Sequence, residues 1–197
     1  MKGIDVSYHN ENVNWQAVKD AGIDFAIVRT GAGLSIQDDF QKTVYAAKEA
    51  GLLVGAYHYS YALTPSKAAQ EAVFCQRIIE EAGMLLELPV FFDMEDADGY
   101  KERHSFDFSR RNITAICKAF LDTIELTAGI YASYGWLENL IDWQSLNCPV
   151  WNAQWGSHDY LQGMLWQFTD KLTIDGKIFD GNYLYDDTHK AGLAPWA

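Results

Sequence analysis

Two carboxylates that follow a strongly apolar segment are the clearest candidates for chemistry in this chain. The segment is Leu-Pro-Val-Phe-Phe at positions 88–92, and Asp93 and Glu95 come after it, separated by Met94. A strand places alternate side chains on one face, so both acids point to the same side, about 6–7 Å apart along the backbone. Burying charge without a partner is costly, although an isolated Asp-x-Glu more often lies in a solvated turn. At the end of a buried strand, the pair favours general acid catalysis at a glycosidic bond.

The elements that must position these acids alternate between strands and helices. Short links between such elements predict a mainly parallel sheet with helices outside it. Apolar periodicity and the capping signals Thr64-Pro65 and Gly83 define the helices. The sequence predicts strands at 3–8, 24–30, 52–59, 88–92 and 129–133, and helices at 14–21, 38–50, 65–82, 113–124 and 136–141.

The polar residues favour a closed barrel over an open sheet. Nearly every predicted strand begins apolar and becomes polar or aromatic at its carboxyl end, and a barrel collects all of those ends at one mouth. An open nucleotide-binding sheet would carry a glycine-rich phosphate loop, and neither G-x-G-x-x-G nor a Walker sequence is present. The residues at the strand ends are Asp5, Arg29, Tyr57, Tyr59, Asp93, Glu95, Tyr131, Trp151 and Gln167.

The last third of the chain departs from a regular eightfold barrel. Strands near 149–155, 164–169 and 177–184 follow one another too closely for helical crossovers, which need a dozen or more residues. The link at 171–176 contains Asp-Gly, a turn signal that predicts an antiparallel hairpin. Reversing the final strand brings Asp180 to the mouth. We therefore expect an irregular TIM-like (β/α) barrel with about eight strands and about five helices, its last strands partly antiparallel.

Composition and charge limit the function further. With 197 residues, 49% of them apolar, the chain suits one barrel domain over residues 1–197, with a tail at 185–197 and no appended module. A net charge of −12 argues against nucleic acid as a partner, because phosphate binding needs a basic surface. No signal peptide and no membrane span are apparent. Three cysteines without C-x-x-C spacing suggest neither a disulfide framework nor a zinc site.

Seven short motifs, in order along nearly the whole chain, carry a family resemblance. The chain resembles the family 25 glycoside hydrolases, lysozymes that act as N-acetylmuramidases on peptidoglycan through a shortened barrel. The motifs are G-I-D-V-S-Y-H at the start, G-A-Y-H-Y from Gly55, F-F-D-M-E from Phe91, G-I-Y-A-S from Gly129, V-W-N-A-Q-W from Val150, L-W-Q-F-T from Leu165 and F-D-G-N from Phe179.

The resemblance implies a role for each site residue. Glu95 matches the general acid, which protonates the glycosidic oxygen, and neighbouring carboxylates together with aromatic walls are expected to raise its pKa. Asp93 matches the second carboxylate, which either orients the 2-acetamido group of the substrate or assists water or the cation directly. Asp5 and Asp180 match supporting acids. The residues expected to line the sugar cleft are Tyr57, Tyr59, Tyr131, Trp151 and Gln167, and no cofactor or metal is implied.

Other functions remain open at this point. A chitinase-like enzyme would need a longer run of spaced acids before the glutamate, and another N-acetylhexosaminide hydrolase is a further alternative. A non-catalytic sugar-binding barrel would be expected to lack Glu95. A metal-dependent polysaccharide deacetylase could use His9 or His58, but no H-x-x-x-H pair exists. We expect a monomer acting on peptidoglycan glycan strands, without a membrane partner. The resemblance also suggests an endolysin, which stays in the cytoplasm until a separate pore releases it to the wall.

Overall fold

A computed structural model describes residues 1–37 and 39–185, and this part of the chain contains nine strands and seven helices. The strands are β1 (Lys2–Val6), β2 (Phe25–Ala32), β3 (Ser35–Ile36), β4 (Leu53–Tyr59), β5 (Val90–Asp93), β6 (Ala128–Ser133), β7 (Val150–Ala153), β8 (Leu165–Ile174) and β9 (Lys177–Leu184). The helices are α1 (Trp15–Asp20), α2 (Phe40–Glu49), α3 (Pro65–Ala82), α4 (Tyr100–Arg103), α5 (Arg110–Thr123), α6 (Tyr134–Asn139) and α7 (Trp143–Leu146).

Eight of the strands form a closed barrel. They follow the order β1-β9-β8-β7-β6-β5-β4-β2, and a parallel pairing of β1 with β2 closes the ring. Only β9 runs antiparallel to its barrel neighbours β1 and β8, while β3 forms a small hairpin on β2. The prediction of an irregular α/β barrel with reversed final strands is confirmed. The expected tail lies, except for Tyr185, outside the described residues.

The helix count and the last hairpin differ from the sequence prediction. Two of the helices, α4 and α7, have four residues each, too few to show apolar periodicity. The link predicted at 171–176 is mostly strand, because β8 continues to Ile174 and leaves Asp175 and Gly176 as the turn. Both turn residues have positive φ, 50° and 74°, as a two-residue type I′ hairpin requires.

Apolar side chains fill two separate layers, one inside the barrel and one between the strands and the helices. Because strand side chains alternate, Phe91 packs inside with Phe25 and Trp151, while Phe92 faces outward and stacks on Phe120 of α5 at 4.3 Å. Asp93 continues the inward series, and Met94, fully buried, continues the outward one. The strand thus directs Asp93 into the barrel mouth, above the inner apolar layer.

Candidate active site

Four carboxyl groups gather at the mouth of the barrel. Asp5 near the end of β1 is paired across the sheet with Asp180 of β9, so the reversed final strand brings these two acids together as the sequence predicted. Asp93 ends β5, and Glu95 lies two residues beyond the strand. Asp5 and Asp93 are 7% and 3% exposed, whereas Glu95 and Asp180 are half-buried. Two of the acids are therefore sealed inside the mouth and two border on solvent.

Asp5 is held by amide groups from the neighbouring strands. Its Oδ2 accepts hydrogen bonds from Nε2 of Gln167 at 3.0 Å and from Nδ2 of Asn182 at 2.7 Å. Burial, and then the charge of Asp180, raise the pKa of Asp5 to about 7. A hydrogen bond between Asp5 and Asp180 favours the proton on Asp5, because it raises the pKa of Asp5 and lowers that of Asp180. Asp5 consequently keeps a proton up to near neutral pH.

Asp93 has an oxygen atom without a hydrogen-bond partner among the described residues. Its Oδ1 is buried and receives no donor. Burial, and then the charge of Glu95, raise the pKa of Asp93 well above its usual range, although Lys101 and Arg29 oppose this effect. A buried acceptor without a donor costs free energy. Such an oxygen atom is suited to accept a hydrogen bond from a bound ligand.

Glu95 occupies a more open position than Asp93. Burial is the largest cause that raises its pKa, and the charges of Asp180 and Asp98 add to it, while Lys101 opposes them. The direction agrees with the expectation from the sequence, but burial contributes more than carboxylate repulsion. Glu95 borders a cavity of about 430 Å³ whose other lining residues are Asp96, Ala97, Glu102, Phe108, Ser133 and Trp136.

The aromatic residues expected to line the cleft lie at different depths. Trp151 is 1% exposed and contacts the rings of Tyr57 and Tyr131 edge-on, with centroid distances of 6.1 and 4.5 Å. Its indole N–H donates to Oδ1 of Asn182 at 2.8 Å, so Trp151 forms the floor of the mouth. The hydroxyl of Tyr131 donates to Oε1 of Gln167 at 3.1 Å.

Tyr59 lies on the side of the mouth where Arg29 and Lys101 are, and not beside Trp151. Its ring lies 5.3 Å from the guanidinium carbon of Arg29 and 5.7 Å from Nζ of Lys101. Burial, and then the charge of Glu95, raise the pKa of Tyr59 far above its usual value, which keeps its hydroxyl protonated. The structure thus brings all nine predicted site residues to the barrel mouth or directly beneath it.

Sequence reasoning missed two residues of this region. Asn182, fully buried, bridges Asp5 and Trp151, and its place in the F-D-G-N motif two positions after Asp180 was the available signal. Lys101 is 1% exposed and interacts with the charges of Asp93 and Glu95, although it lies in a charged segment that predicts a solvated loop.

The two histidines that could have suggested a metal site, His9 and His58, lie in different environments. His9 is exposed, and His58 is buried outside the barrel, where its Nε2 lies 2.9 Å from the carbonyl oxygen of Gly33. Within residues 1–37 and 39–185, no group of three or more His, Cys, Asp or Glu residues is arranged to hold a metal ion. None of the helices in this part of the chain has the length and apolar character that crossing a membrane requires.

The fold and the site together define the class of protein. It is a closed α/β barrel with a cluster of carboxyl groups above an aromatic floor, at the carboxyl ends of the strands, as in enzymes that cleave carbohydrates. The family model described as Glycosyl hydrolases family 25 matches residues 4–177. The chain belongs to this family.

Individual relatives agree with this assignment. The autolytic lysozyme of Clostridium acetobutylicum is 28% identical over 157 residues, which are 79% of this chain and 45% of that protein. The modular autolysin LytC of Streptococcus pneumoniae, solved with a synthetic peptidoglycan ligand, superposes with a TM-score of 0.84 at 20% identity, covering 93% of this chain and 46% of LytC. The CTP1L endolysin superposes with a TM-score of 0.80 at 24% identity, covering 94% of this chain and 67% of that chain. The chain thus spans about half the length of the first two relatives.

Proposed function

We propose that this protein is a lysozyme that hydrolyses the β-1,4 bond between N-acetylmuramic acid and N-acetylglucosamine in bacterial peptidoglycan. The observation that carries the proposal is the pairing of Glu95, half-buried beside a cavity, with Asp93, whose buried Oδ1 has no donor among the described residues. Membership of glycosyl hydrolase family 25 supports it. A relative named an autolytic lysozyme supports the substrate class.

Glu95 is the general acid in this proposal. A general acid must hold its proton until the glycosidic oxygen needs it, and the raised pKa of Glu95 serves that purpose. It must also reach the substrate, and Glu95 is more open to solvent than Asp93. As the leaving oxygen takes the proton, the sugar ring develops oxocarbenium character, which the surrounding carboxylates stabilise.

Asp93 is the second carboxylate, and its Oδ1 is the group that awaits a substrate donor. The N–H of a 2-acetamido group is one such donor, which would orient the acetamido oxygen for internal attack. A water molecule aligned for attack on the cation is the other. Both roles need an oxygen atom that the protein itself leaves without a donor, as Oδ1 of Asp93 is in the described chain.

The remaining predicted residues support this pair. The hydrogen bond between Asp5 and Asp180 raises the pKa of Asp5 and lowers that of Asp180, so it favours the proton on Asp5 and the negative charge on Asp180. Tyr57, Tyr59 and Tyr131 line the cleft, whereas Trp151 and Gln167, 1% and 3% exposed, contribute to it from beneath. Gln167 connects the supporting acids to the tyrosines, because it donates to Asp5 and accepts from Tyr131.

We infer that the barrel acts as a single catalytic domain, as a monomer, on peptidoglycan glycan strands. The likeness to an autolysin solved with a peptidoglycan ligand supports that partner. The likeness to an endolysin supports a route in which the protein reaches the cell wall from the cytoplasm through a separate membrane pore.

Product analysis tests the proposed bond specificity. Purified peptidoglycan is digested, reduced with borohydride and examined by mass spectrometry, with Glu95→Gln as the matched control. A muramidase leaves muramic acid at the new reducing end, so muramitol is expected from the wild type and not from the control. Glucosaminitol as the main product would contradict the proposal, as would the absence of any new reducing sugar.

The deacetylase alternative makes a different prediction for chelation. Digestion in the presence of EDTA should proceed at the untreated rate if carboxyl groups, without a metal ion, transfer the proton and stabilise the sugar cation. An enzyme that EDTA inactivates and zinc restores, releasing acetate instead of reducing ends, would support the deacetylase.

A further inference from the structure

A buried ammonium group bridges the ends of the two strands that carry the candidate catalytic acids and their tyrosine wall. Nζ of Lys101 donates to the carbonyl oxygen of Ser60, directly after β4, and to that of Glu95, just beyond β5, at 2.6 Å each. Lys101 is 1% exposed, and Ser60 is fully buried. Lysine is almost never fully buried unless it is paired, so this position calls for a specific reason.

Hydrogen bonds in both directions join the two ends of the loop between Glu95 and Lys101. The side chain of Asp96 accepts hydrogen bonds from the backbone N–H of Lys101 at 2.6 Å and of Glu102 at 3.0 Å. The side chain of Lys101 returns in the opposite direction to the carbonyl of Glu95. The backbone of Glu95 is therefore held by the loop itself, and not only by the strand ladder, which ends at Asp93.

Acids from three parts of the fold surround the ammonium group of Lys101. The groups that face it are Asp93 and Glu95 from the end of β5, Asp96 from the loop and Glu71 from α3. Around Glu95, the other charged groups are Asp93, Asp98, Asp180 and Arg29. Lys101 is thus a cation fixed between carboxyl groups, and its charge lowers the pKa of Asp93, Glu95 and Glu71 against the effect of burial.

We propose that Lys101 is a positioning residue: its buried ammonium group holds the backbone of Glu95, and with it the carboxyl group, at the mouth of the barrel. Because Lys101 is almost completely buried, it acts through Glu95. The inference rests on the proposed function only in so far as Glu95 is the general acid. Its geometric content, a cation that fixes the Glu95 loop, is independent of the reaction.

The test compares Lys101→Met with Lys118→Met. Both changes replace an ammonium group by a thioether of similar length, but Lys118 is exposed on α5, where it pairs with Asp122. For Lys101→Met we expect kcat on soluble peptidoglycan fragments to fall roughly 10- to 100-fold with little change in KM, because a small misplacement of a catalytic group costs rate more than binding. The Lys118 variant should retain the wild-type values.

The pH dependence separates positioning from a merely structural role. Loss of the nearby positive charge should move the carboxyl titrations of Asp93 and Glu95 to higher pH, and both limbs of the kcat profile should follow. Carbon-13 NMR of the substrate-free protein measures these titrations without any activity, and Glu95→Gln and Asp93→Asn assign the resonances. Should the methionine variant not fold, Lys101→Gln is measured instead, with the same shifts expected.

Unshifted titrations and an unshifted pH profile in the folded variant would overturn the proposal, even if kcat fell, because they would assign Lys101 to stability alone. A wild-type kcat would overturn it as well. Failure of the proposed function looks different: the wild type would yield no muramitol, while the carboxyl titrations of the Lys101 variant would still shift.

Discussion

Asp93, at the end of β5, and Glu95, two residues beyond it, meet two different requirements that one carboxyl group cannot meet alone. A hydrogen-bond acceptor for a substrate group must be held rigidly and dry, as Asp93 is at 3% exposure. A proton donor must be reachable and still protonated, which matches Glu95, half-buried with a raised pKa. The single residue between them, Met94, is fully buried in the outer apolar layer and fixes the alternation. Spacing in the sequence and burial in the fold thus act together at these three positions.

Replacement of the candidate general acid tests this division at the level of one residue. Glu95→Gln keeps the size and hydrogen-bonding capacity of the side chain but removes the transferable proton. We expect the fold to be retained and kcat to fall by about 10²–10⁴, the usual contribution of a general acid. Rates on soluble peptidoglycan fragments and a thermal unfolding curve measure both effects. Wild-type turnover in the folded variant would remove Glu95 from this role.

At the scale of secondary structure, the alternation of buried and polar positions is what the sequence displays best. The predicted helix at 65–82 matches α3, because Thr64 caps it, accepting from the N–H of Lys67, and Gly83 ends it at φ 68°. Strand alternation likewise predicted that Asp5, Tyr57 and Asp93 share the mouth. These features depend on local patterns of side chains, which a single sequence contains.

Features that arise from folding back of a loop were not predictable in this way. Lys101 lies among Asp96, Asp98, Glu102 and Arg103, a composition that indicates a solvated turn. Its burial arises because the loop folds onto the ends of β4 and β5, where two carbonyl groups need a donor. No periodicity encodes such a contact. The four-residue helix α4, whose first-turn N–H groups at Lys101 and Glu102 donate to the Asp96 carboxylate, escaped prediction for the same reason.

Buried His58 makes a testable contribution to the outer layer of the barrel. It lies fully buried on β4, with Nδ1 2.7 Å from the Thr30 hydroxyl and Nε2 2.9 Å from the Gly33 carbonyl, and it thereby connects β4 to β2 and its hairpin. His58→Leu removes the imidazole N–H from the buried Gly33 carbonyl and one partner from the Thr30 hydroxyl, which still donates to the Tyr57 carbonyl oxygen. We expect a loss of about 2–5 kcal/mol in the free energy of unfolding.

Urea unfolding at pH 7.5 measures this loss, and His158→Leu is the matched control because His158 is exposed. The difference between wild type and His58→Leu should shrink as the pH falls from 6.5 towards 4. Burial lowers the pKa of His58 to about 4, so below its ordinary value the unfolded state takes up the proton first and the folded state loses stability. A pH-independent difference would contradict this explanation.

For the whole molecule, the buried acids set the dependence of stability on pH. Burial raises the pKa of Asp5 and of Glu71 to about 7, and burial raises the pKa of Asp93, Glu95 and Asp180 as well. Between about pH 4 and 7 the folded state therefore holds protons that the unfolded state has released, so stability falls as the pH rises. These acids outnumber His58, which acts in the opposite direction.

We expect the Tm to be higher at pH 5 than at pH 8. Thermal unfolding across this range tests it, and Asp5→Asn should flatten the slope because the amide carries no charge at either pH. A Tm that rises steadily with pH would show that the acids at the mouth are ionised and compensated in the folded state.

The net charge of −12 bears on how the whole molecule approaches the substrate proposed above. A bacterial wall rich in anionic polymers repels such a protein, and salt screens this repulsion over a Debye length of about 10 Å at 0.1 M. We expect moderate salt to speed lysis of intact walls. Walls stripped of their anionic polymers provide the control, on which the same salt series should have a smaller effect. Inhibition that begins at the lowest salt would contradict this expectation. It would mean that local cations, with Arg29 at the mouth as a candidate, attract the wall more strongly than the net negative charge repels it.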